Sequence, residues 1–436
     1  MNQPLWQTLA NRRMLICAGL GFASGLPLFV LVQLVPAWLR VEGVSLTAIG
    51  FFTAIQYPYS LKFLWSPALE RYSVPLLGRR RGWMLLTQVL LIGTMALLGF
   101  QQPQDALLGI TLMAIAVAVF SATQDVVIDA YRRELLRTDE ELGLGNAIHV
   151  QVYRLSGLIP GSLGLILADS LPWQVVFPIM AAFMGVGVIL TLLIREAETE
   201  PVVPASLAAA IVEPFREFFG RHGWRSAVAV LAFMLLYKLG DNMATALATP
   251  FYIDLGFSLT EIGWIAKNAA LWPSIIGGIA GGLIIVKIGI NKALWAFGVV
   301  QLATIFGFAW LAGVGADPWL LAAVIGAEYL GVGLGTAASV AFIARETART
   351  SVATQFALFT AIAALPRVVA SSVSGLIVDE IGWIDFFYLC ALLALPGMAL
   401  LHWVAPWRAD TSTVEPVAPL GDETTILPAP PSGRRG

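Results

Sequence analysis

The chain has 436 residues, of which 58% are hydrophobic and only 12% are charged, and its mean hydropathy is +0.79. Soluble domains carry about 25% charged residues, so this composition excludes a soluble enzyme, a disordered chain and a nucleic-acid-binding protein. The net charge of -2 gives no reason to expect a polyanionic partner.

The apolar residues fall into long runs, and a run of about 20 residues is enough for a helix to cross the hydrocarbon core of a bilayer. The first run follows Arg12 and Arg13 and is too long for the hydrophobic region of a signal peptide. Twelve transmembrane helices are predicted, at 14–39, 46–65, 83–101, 106–130, 147–168, 173–194, 226–252, 261–286, 293–313, 318–343, 355–378 and 385–404. The sequence therefore predicts an all-α membrane protein.

The Lys and Arg residues predict how the chain is oriented in the membrane. If the N-terminus is cytoplasmic, twenty of the 26 Lys and Arg residues lie in cytoplasmic segments, and only Arg40 lies in an outside loop. Positive charge is concentrated in cytoplasmic loops of membrane proteins. We therefore expect both termini in the cytoplasm.

A repeated motif indicates that the chain is duplicated. Residues 43–50 read Gly-Val-Ser-Leu-Thr-Ala-Ile-Gly and residues 256–263 read Gly-Phe-Ser-Leu-Thr-Glu-Ile-Gly, with six of eight positions identical. Two six-helix repeats with a long cytoplasmic link resemble the architecture of the major facilitator superfamily. An oligomeric channel, the pore-forming alternative, would not need this duplication. We expect a monomer. The predicted division is an N-terminal six-helix bundle (1–194), a linker with an amphipathic helix (195–225), a C-terminal six-helix bundle (226–404) and a disordered cytoplasmic tail (405–436).

Away from the helix ends, five charged residues lie inside predicted helices of the C-terminal half: Lys238, Asp241, Lys267, Glu328 and Arg367. A charge inside a membrane helix costs at least a few kcal/mol, so it persists only where it is paired, faces water or serves a function. These charges either form fixed salt bridges or line an aqueous cavity. Three cations against two carboxylates leave one positive charge unmatched, which favours the cavity. Asp241 and Glu328 are then candidates to exchange a proton during transport.

The N-terminal half has a second polar cluster at the end of its fourth helix. Asp125 and Asp129 are four residues apart and share a helix face, and Gln124 lies beside Asp125. Asp129 is expected to pair with a cation, Lys62 or Arg154, and so to close the cytoplasmic gate. Asp125 lies deeper, where it either carries a proton or contacts the substrate.

The loop after the second helix contains Glu70-Arg71 and Gly78-Arg79-Arg80-Arg81. It resembles the loop motif of the major facilitators, in which an acidic residue, Arg and Gly precede two further Arg residues. Such a loop ties helix ends together through charge pairs and helix dipoles, so it sets conformation rather than substrate choice. The gating residues predicted from these patterns are Lys62, Glu70, Arg71 and Asp129.

Several chemical classes have no support in the sequence. It contains no phosphate-binding loop of the Gly-x-x-x-x-Gly-Lys-Ser/Thr type, no His-Glu-x-x-His and no Gly-x-Ser-x-Gly. Cys17 and Cys390 lie in apolar runs and provide no metal-ligand spacing. We expect a protein that is not an enzyme and that binds no metal or cofactor.

Seven short segments resemble the AmpG family of muropeptide permeases. They are 22–28 (Phe-Ala-Ser-Gly-Leu-Pro-Leu), 62–67 (Lys-Phe-Leu-Trp-Ser-Pro), 78–83 (Gly-Arg-Arg-Arg-Gly-Trp), 124–125 with 129–130, 237–241 (Tyr-Lys-Leu-Gly-Asp), 331–337 and 354–358 (Thr-Gln-Phe-Ala-Leu). The resemblance implies a bacterial inner-membrane importer of GlcNAc–anhydroMurNAc peptides for peptidoglycan recycling, driven by the proton gradient. In some bacteria this import feeds the signal that induces β-lactamase.

An anionic, sugar-rich cargo would need cations and amides in the cavity. The candidate substrate-binding residues are Gln56, Gln124, Arg154, Lys238, Asn242, Lys267, Asn268 and Arg367, and the proton candidates are Asp125, Asp241 and Glu328. A siderophore or acetyl-CoA would satisfy the same cations, so these cargoes stay open as alternatives. A receptor or scaffold whose charges are purely structural is the alternative from another class.

Overall fold

The computed structural model describes residues 11–74, 77–136, 139–196, 207–347 and 352–407. The regular structure in these ranges is helical throughout. Ten of its helices are long and apolar enough to cross a membrane. The all-α membrane fold predicted from composition is therefore confirmed.

We label the helices α1 to α12 in chain order. The helix Leu207–Leu236 bends at Gly223, and the helix Val352–Val404 bends at Gly382. The helices are α1 Arg12–Val41, α2 46–71, α3 Arg79–Leu98, α4 Leu107–Leu135, α5 139–168, α6 Trp173–Leu193, α7 224–254, α8 Leu259–Ile288, α9 Ile290–Val314, α10 Pro318–Glu346, α11 352–381 and α12 383–404. Of these, α2 alternates between short α-helical and 3-10-helical pieces.

Several helices extend beyond the predicted apolar runs. The structure continues α4 to Leu135 and α10 to Glu346, and it begins α5 at Asp139. The added turns carry charged residues that water solvates at the membrane boundary, so a hydropathy pattern detects only the apolar part of each helix. In the predicted linker, Phe218 is fully buried and its ring lies 4.8 Å from that of Phe359. Residues 197–206 of that linker and 408–436 of the predicted tail lie outside the described residues.

The duplicated motif adopts the same local structure twice. Ser45 and Ser258 each accept a backbone hydrogen bond three residues ahead, at 3.2 Å, and so cap α2 and α8. Gly43 and Gly256 precede these caps with φ angles of 81° and 93°, a backbone region that other residues rarely adopt. The motif repeated in the sequence therefore forms the same turn and N-terminal cap at the start of α2 and at the start of α8.

We call residues 11–196 the N-terminal half and residues 207–407 the C-terminal half. Polar contacts join the two halves where α1 ends and α2 begins. Arg40 Nε lies 2.5 Å from Asp254 Oδ1. Thr47 donates from its backbone N–H (2.9 Å) and its hydroxyl (2.6 Å) to Asp379 Oδ2. In the second copy of the motif, the Thr260 hydroxyl donates to Asp169 Oδ2 at 2.7 Å.

The same end is closely packed. Trp38, Phe177, Phe251 and Phe387 are buried there in one hydrophobic cluster drawn from both halves. A Cβ at Gly375 would lie 1.8 Å from the carbonyl oxygen of Leu46, so the backbones of α11 and α2 touch. We call this end of the molecule the sealed end. The chain enters α1 and leaves α12 at the opposite end.

Candidate functional site: a cavity between the two halves

A cavity of about 570 Å³ lies between the two halves. Its walls come from α1, α5, α7, α8, α10 and α11. Among the described residues that line it, three are cations and none is Asp or Glu. The polar lining residues are Gln33, Gln151, Arg154, Tyr252, Lys267, Ser274, Tyr329, Thr336 and Arg367. This lining is electropositive and therefore suits an anionic guest.

Lys267 begins the long helical part of α8 and reaches into the cavity. Its ammonium group donates a hydrogen bond to the Thr249 hydroxyl at 2.9 Å. No carboxylate oxygen of a described residue lies within 4.0 Å of it. A partly buried ammonium group without a counter-charge is costly, so a site that keeps one gains from an incoming anion.

Lys238, Asp241 and Glu328 form a buried cluster behind the cavity wall. The Lys238 ammonium group lies 2.8 Å from Thr336 Oγ1, which lines the cavity, and 3.5 Å from Asp241 Oδ2. Glu328 is fully buried, and neither of its carboxyl oxygens has a hydrogen-bond partner among the described residues. The side chains of Asp241, Thr304 and Lys238 are its polar neighbours. The structure thus brings together three of the residues that the sequence singled out.

The N-terminal cluster is held by Lys62. Asp125 accepts a hydrogen bond from the Ser24 hydroxyl, and its Oδ2 lies 3.7 Å from the Lys62 ammonium group. Lys62 is also 4.0 Å from Asp129, which pairs with Arg132 at 3.0 Å. Of the two cations considered for Asp129, Lys62 is its neighbour here. Arg154 lines the cavity instead.

Five predicted substrate ligands lie outside the cavity lining, and Lys238, described above, is one of them. Three use their side-chain amides on nearby backbone: Gln124 donates to the Ala23 carbonyl (2.8 Å), Asn268 to that of Trp264 (2.8 Å) and Gln56 to that of Thr53 (3.3 Å). Asn242 follows Asp241 and does not line the cavity. Their contact with a substrate remains a prediction.

The arginine-rich loop ties three helices of the N-terminal half together. Arg80 is 4% exposed, and its guanidinium group lies 2.8 Å from Glu134 at the end of α4. The Glu196 carboxylate accepts the backbone N–H groups of Arg80 (2.6 Å) and Arg81 (3.0 Å), so it caps the start of α3. The side chains of Glu70 and Arg71 lie outside the described residues.

Replacing Arg80 by Met should lower the free energy of unfolding by about 3 kcal/mol, because it leaves the Glu134 carboxylate with a weaker partner. Thermal unfolding in detergent would measure this as a lower Tm. Arg133→Met is the matched control, since Arg133 is an exposed arginine next to Glu134 on α4. Equal Tm values for the two variants would contradict a structural role for the Arg80–Glu134 pair.

The sequence pattern of the Major Facilitator Superfamily matches residues 17–333. The anhydromuropeptide permease of Escherichia coli K12 is 40% identical over 384 residues, which cover 88% of this chain and 77% of that protein. A Haemophilus influenzae protein described as uncharacterized is 47% identical and covers 96% of this chain and 100% of its own length.

The crystal structure of a D-xylose–proton symporter superposes with a TM-score of 0.68 at 13% identity, covering 91% of this chain and 98% of that one. At this identity the match shows the fold alone. Together with the apolar helices, the fold and the relatives are those of multi-pass inner-membrane permeases rather than enzymes. The chain belongs to the Major Facilitator Superfamily and, within it, to the AmpG family of permeases.

Proposed function

We propose that this chain imports anhydromuropeptides for peptidoglycan recycling. It does so as a proton-coupled monomer that works by alternating access around the central cavity. The cationic cavity is the observation that carries this proposal. Arg154, Lys267 and Arg367 line it without any described acidic residue, and the peptide part of an anhydromuropeptide is anionic. The relative from E. coli named as an anhydromuropeptide permease supports the choice of cargo.

The size and the other lining residues of the cavity suit such a cargo. About 570 Å³ falls in the range of about 300–1,000 Å³ that is usual for small-molecule sites. Tyr252 and Tyr329 offer aromatic faces for sugar rings, and Gln33 and Gln151 offer amides for hydroxyl and acetamido groups.

The distribution of Lys and Arg residues supports cytoplasmic termini. In that orientation the sealed end faces the periplasm and the cavity is reached from the cytoplasm. The structure then corresponds to the state that releases an imported cargo. Two further states, open to the periplasm and occluded, complete the cycle.

Glu328 is our first candidate for the proton carrier of the C-terminal half. A buried carboxylate without a hydrogen-bond partner costs far more than the neutral acid does in the same place, and Lys238 and Asp241 lie beside Glu328. In the N-terminal half, Asp125 can exchange between Lys62 and a proton in the same way.

Reconstituted vesicles with an imposed pH difference would test the cargo. We expect uptake of a GlcNAc–anhydroMurNAc tripeptide that increases with acid outside and stops when a protonophore collapses the gradient. A ferric siderophore and acetyl-CoA serve as competing cargoes. Preferential uptake of either one would replace the muropeptide assignment, and uptake that ignores the gradient would reject proton coupling.

Glu328→Gln would test the proton carrier. We expect gradient-driven accumulation of the cargo to fall by about tenfold or more in this variant, while cargo exchange at equal pH is kept. Gln has nearly the same shape as Glu, but its side chain cannot bind and release a proton. Asp105→Asn is the control, because Asp105 is an exposed carboxylate in a loop. Accumulation at the wild-type level in Glu328→Gln would remove Glu328 from the mechanism.

A further inference from the structure

Three π-helical turns meet at the sealed side of the cavity. They are Val30–Leu34 in α1, Ile159–Leu163 in α5 and Ile262–Ala266 in α8. The turn in α5 contacts both of the others. A π turn inserts an extra residue into a helix, redirects the side chains around it and occurs frequently at functional sites. Convergence of three such turns therefore indicates a built site.

Each turn supplies one residue to this convergence. Gln33 and Gly161 lie within their turns, and Lys267 directly follows the third. A Cβ at Gly161 would lie 1.6 Å from Gln33 Oε1 and 3.4 Å from Lys267 Cδ. The amide of Gln33 and the stem of Lys267 thus lie against the same glycine, where a larger residue would displace the amide. We call Gln33, Gly161, Thr249 and Lys267 the roof cluster.

The roof cluster has hydrogen-bonding capacity that the described residues leave unused. Gln33 Oε1 is buried and has no hydrogen-bond partner among them. An orphaned buried acceptor is unfavourable until a donor reaches it. The Lys267 ammonium group has three N–H donors, of which Thr249 uses one. An acceptor in need of a donor therefore lies near a cation in need of an anion, and both line the cavity.

We propose that the roof cluster binds one N-acylated amino-acid unit of the cargo that has a free α-carboxylate. The carboxylate accepts hydrogen bonds from the Lys267 ammonium group, and the amide N–H on the same α-carbon donates to Gln33 Oε1. A sugar hydroxyl would satisfy Gln33 but leave Lys267 without an anion. A fully ionised phosphate would give Lys267 an anion but would offer no hydrogen-bond donor to Gln33. This inference rests on the proposed function, since it assigns part of a peptide-bearing cargo to named residues.

Gln33 belongs to the N-terminal half, and Thr249 and Lys267 belong to the C-terminal half. A cargo held in the roof cluster therefore bridges the two halves close to the sealed end. Gly161 keeps this bridge open by leaving room for the Gln33 amide.

Binding to the purified full-length chain in detergent would test the proposal. The probe is a GlcNAc–anhydroMurNAc tripeptide whose carboxyl groups are amidated one at a time. The variants are Lys267→Met, Gln33→Leu and Gly161→Ala, and the control is Lys287→Met, because Lys287 is exposed on the same helix as Lys267 and does not line the cavity. Thermal unfolding confirms that each variant is folded, and Lys267→Arg tests whether a conserved charge rescues Lys267→Met.

For one carboxyl position, we expect amidation to weaken binding to the wild type by about 10- to 100-fold, the usual worth of a hydrogen bond between charged groups. The same amidation should change binding to Lys267→Met by less than about twofold. Gln33→Leu and Gly161→Ala should weaken binding of the free-acid probe and of the amidated probe equally, by about fivefold, because both forms of the probe keep the N–H group. Methylation of that nitrogen should weaken binding to the wild type and leave Gln33→Leu unaffected.

Two results would overturn the proposal while the wild type still binds the tripeptide. The first is that amidation weakens binding to Lys267→Met as much as it weakens binding to the wild type, at every carboxyl position. The second is that N-methylation of the probe weakens binding to Gln33→Leu as much as it weakens binding to the wild type. A wild type that binds no form of the tripeptide would instead overturn the proposed function, and the roof assignment with it.

Discussion

Replacing Gly375 by alanine is expected to force the halves apart at the sealed end and to raise the fraction of molecules in which that end is open. The added Cβ would lie 1.8 Å from the carbonyl oxygen of Leu46 and 2.4 Å from its carbonyl carbon. Both are backbone atoms at the start of α2, so no side-chain rotation relieves the overlap. We expect the overlap to destabilise the closed arrangement by about 3 kcal/mol. This shifts the equilibrium between the closed and the open arrangement of the sealed end about 100-fold toward the open one.

Cysteine labelling would measure this shift. The native Cys17 and Cys390 are both fully buried, so a reporter such as Ala248→Cys in the cavity lining gives a low background. A membrane-impermeant maleimide applied on the side of the sealed end should label the reporter faster when Gly375→Ala is present. Gly282→Ala is the control, since nothing lies within 4 Å of a Cβ added there. Equal labelling rates would show that the sealed end does not depend on this contact.

Replacing Asp241 by asparagine is expected to lower stability by about 3 kcal/mol and to abolish uptake. The carboxylate is 3.5 Å from the Lys238 ammonium group, and its loss leaves that largely buried cation without its salt-bridge partner and with the Thr336 hydroxyl as its hydrogen-bond partner. The double variant Lys238→Met/Asp241→Asn removes both charges of the pair and should regain most of the stability, because neither partner is left as a charge without its counter-charge.

The pair of measurements separates two roles for this cluster. Thermal unfolding reports its structural contribution, and uptake into vesicles reports its part in transport. We expect the double variant to be stable and still inactive. A double variant that regains both stability and uptake would show that the cluster only holds helices together, as in a receptor or scaffold of the same fold.

The fold could be predicted because most of the helices contain a long apolar run, and ten of those described are long and apolar enough to cross a membrane. Helix ends were less accurate: α5 begins at Asp139 rather than at 147, since its charged first turns carry no apolar signal. The irregular build of α2 was not predicted either. Pro58 and Pro67 lie within 46–71, but apolar composition does not distinguish α-helical from 3-10-helical turns.

The candidate site was predictable to the extent that it is charged. Arg154, Lys267 and Arg367 were found because a cation in a membrane helix is conspicuous, and all three line the cavity. Thr336 and Tyr329 were missed, since uncharged polar residues are common in such helices. Spacing gives the depth of a residue but not which neighbour its helix face meets.

The roof cluster shows a further limit of sequence reasoning. Gln33 was visible as a polar residue in the first helix, but nothing in the pattern predicts a π turn at 30–34. The alignment of three such turns depends on helix packing between the halves. Local propensity cannot supply that information.

The two threonine contacts at the sealed end have an evolutionary consequence. Thr47 meets Asp379 and Thr260 meets Asp169, so exchanging the first half of the chain with the second maps one contact onto the other. This reciprocity is the signature of an isologous interface, in which one surface recognises its own copy across a two-fold axis. An ancestral gene of half the present length could have formed this closure as a homodimer, and fusion then placed both copies of a single patch in one polypeptide.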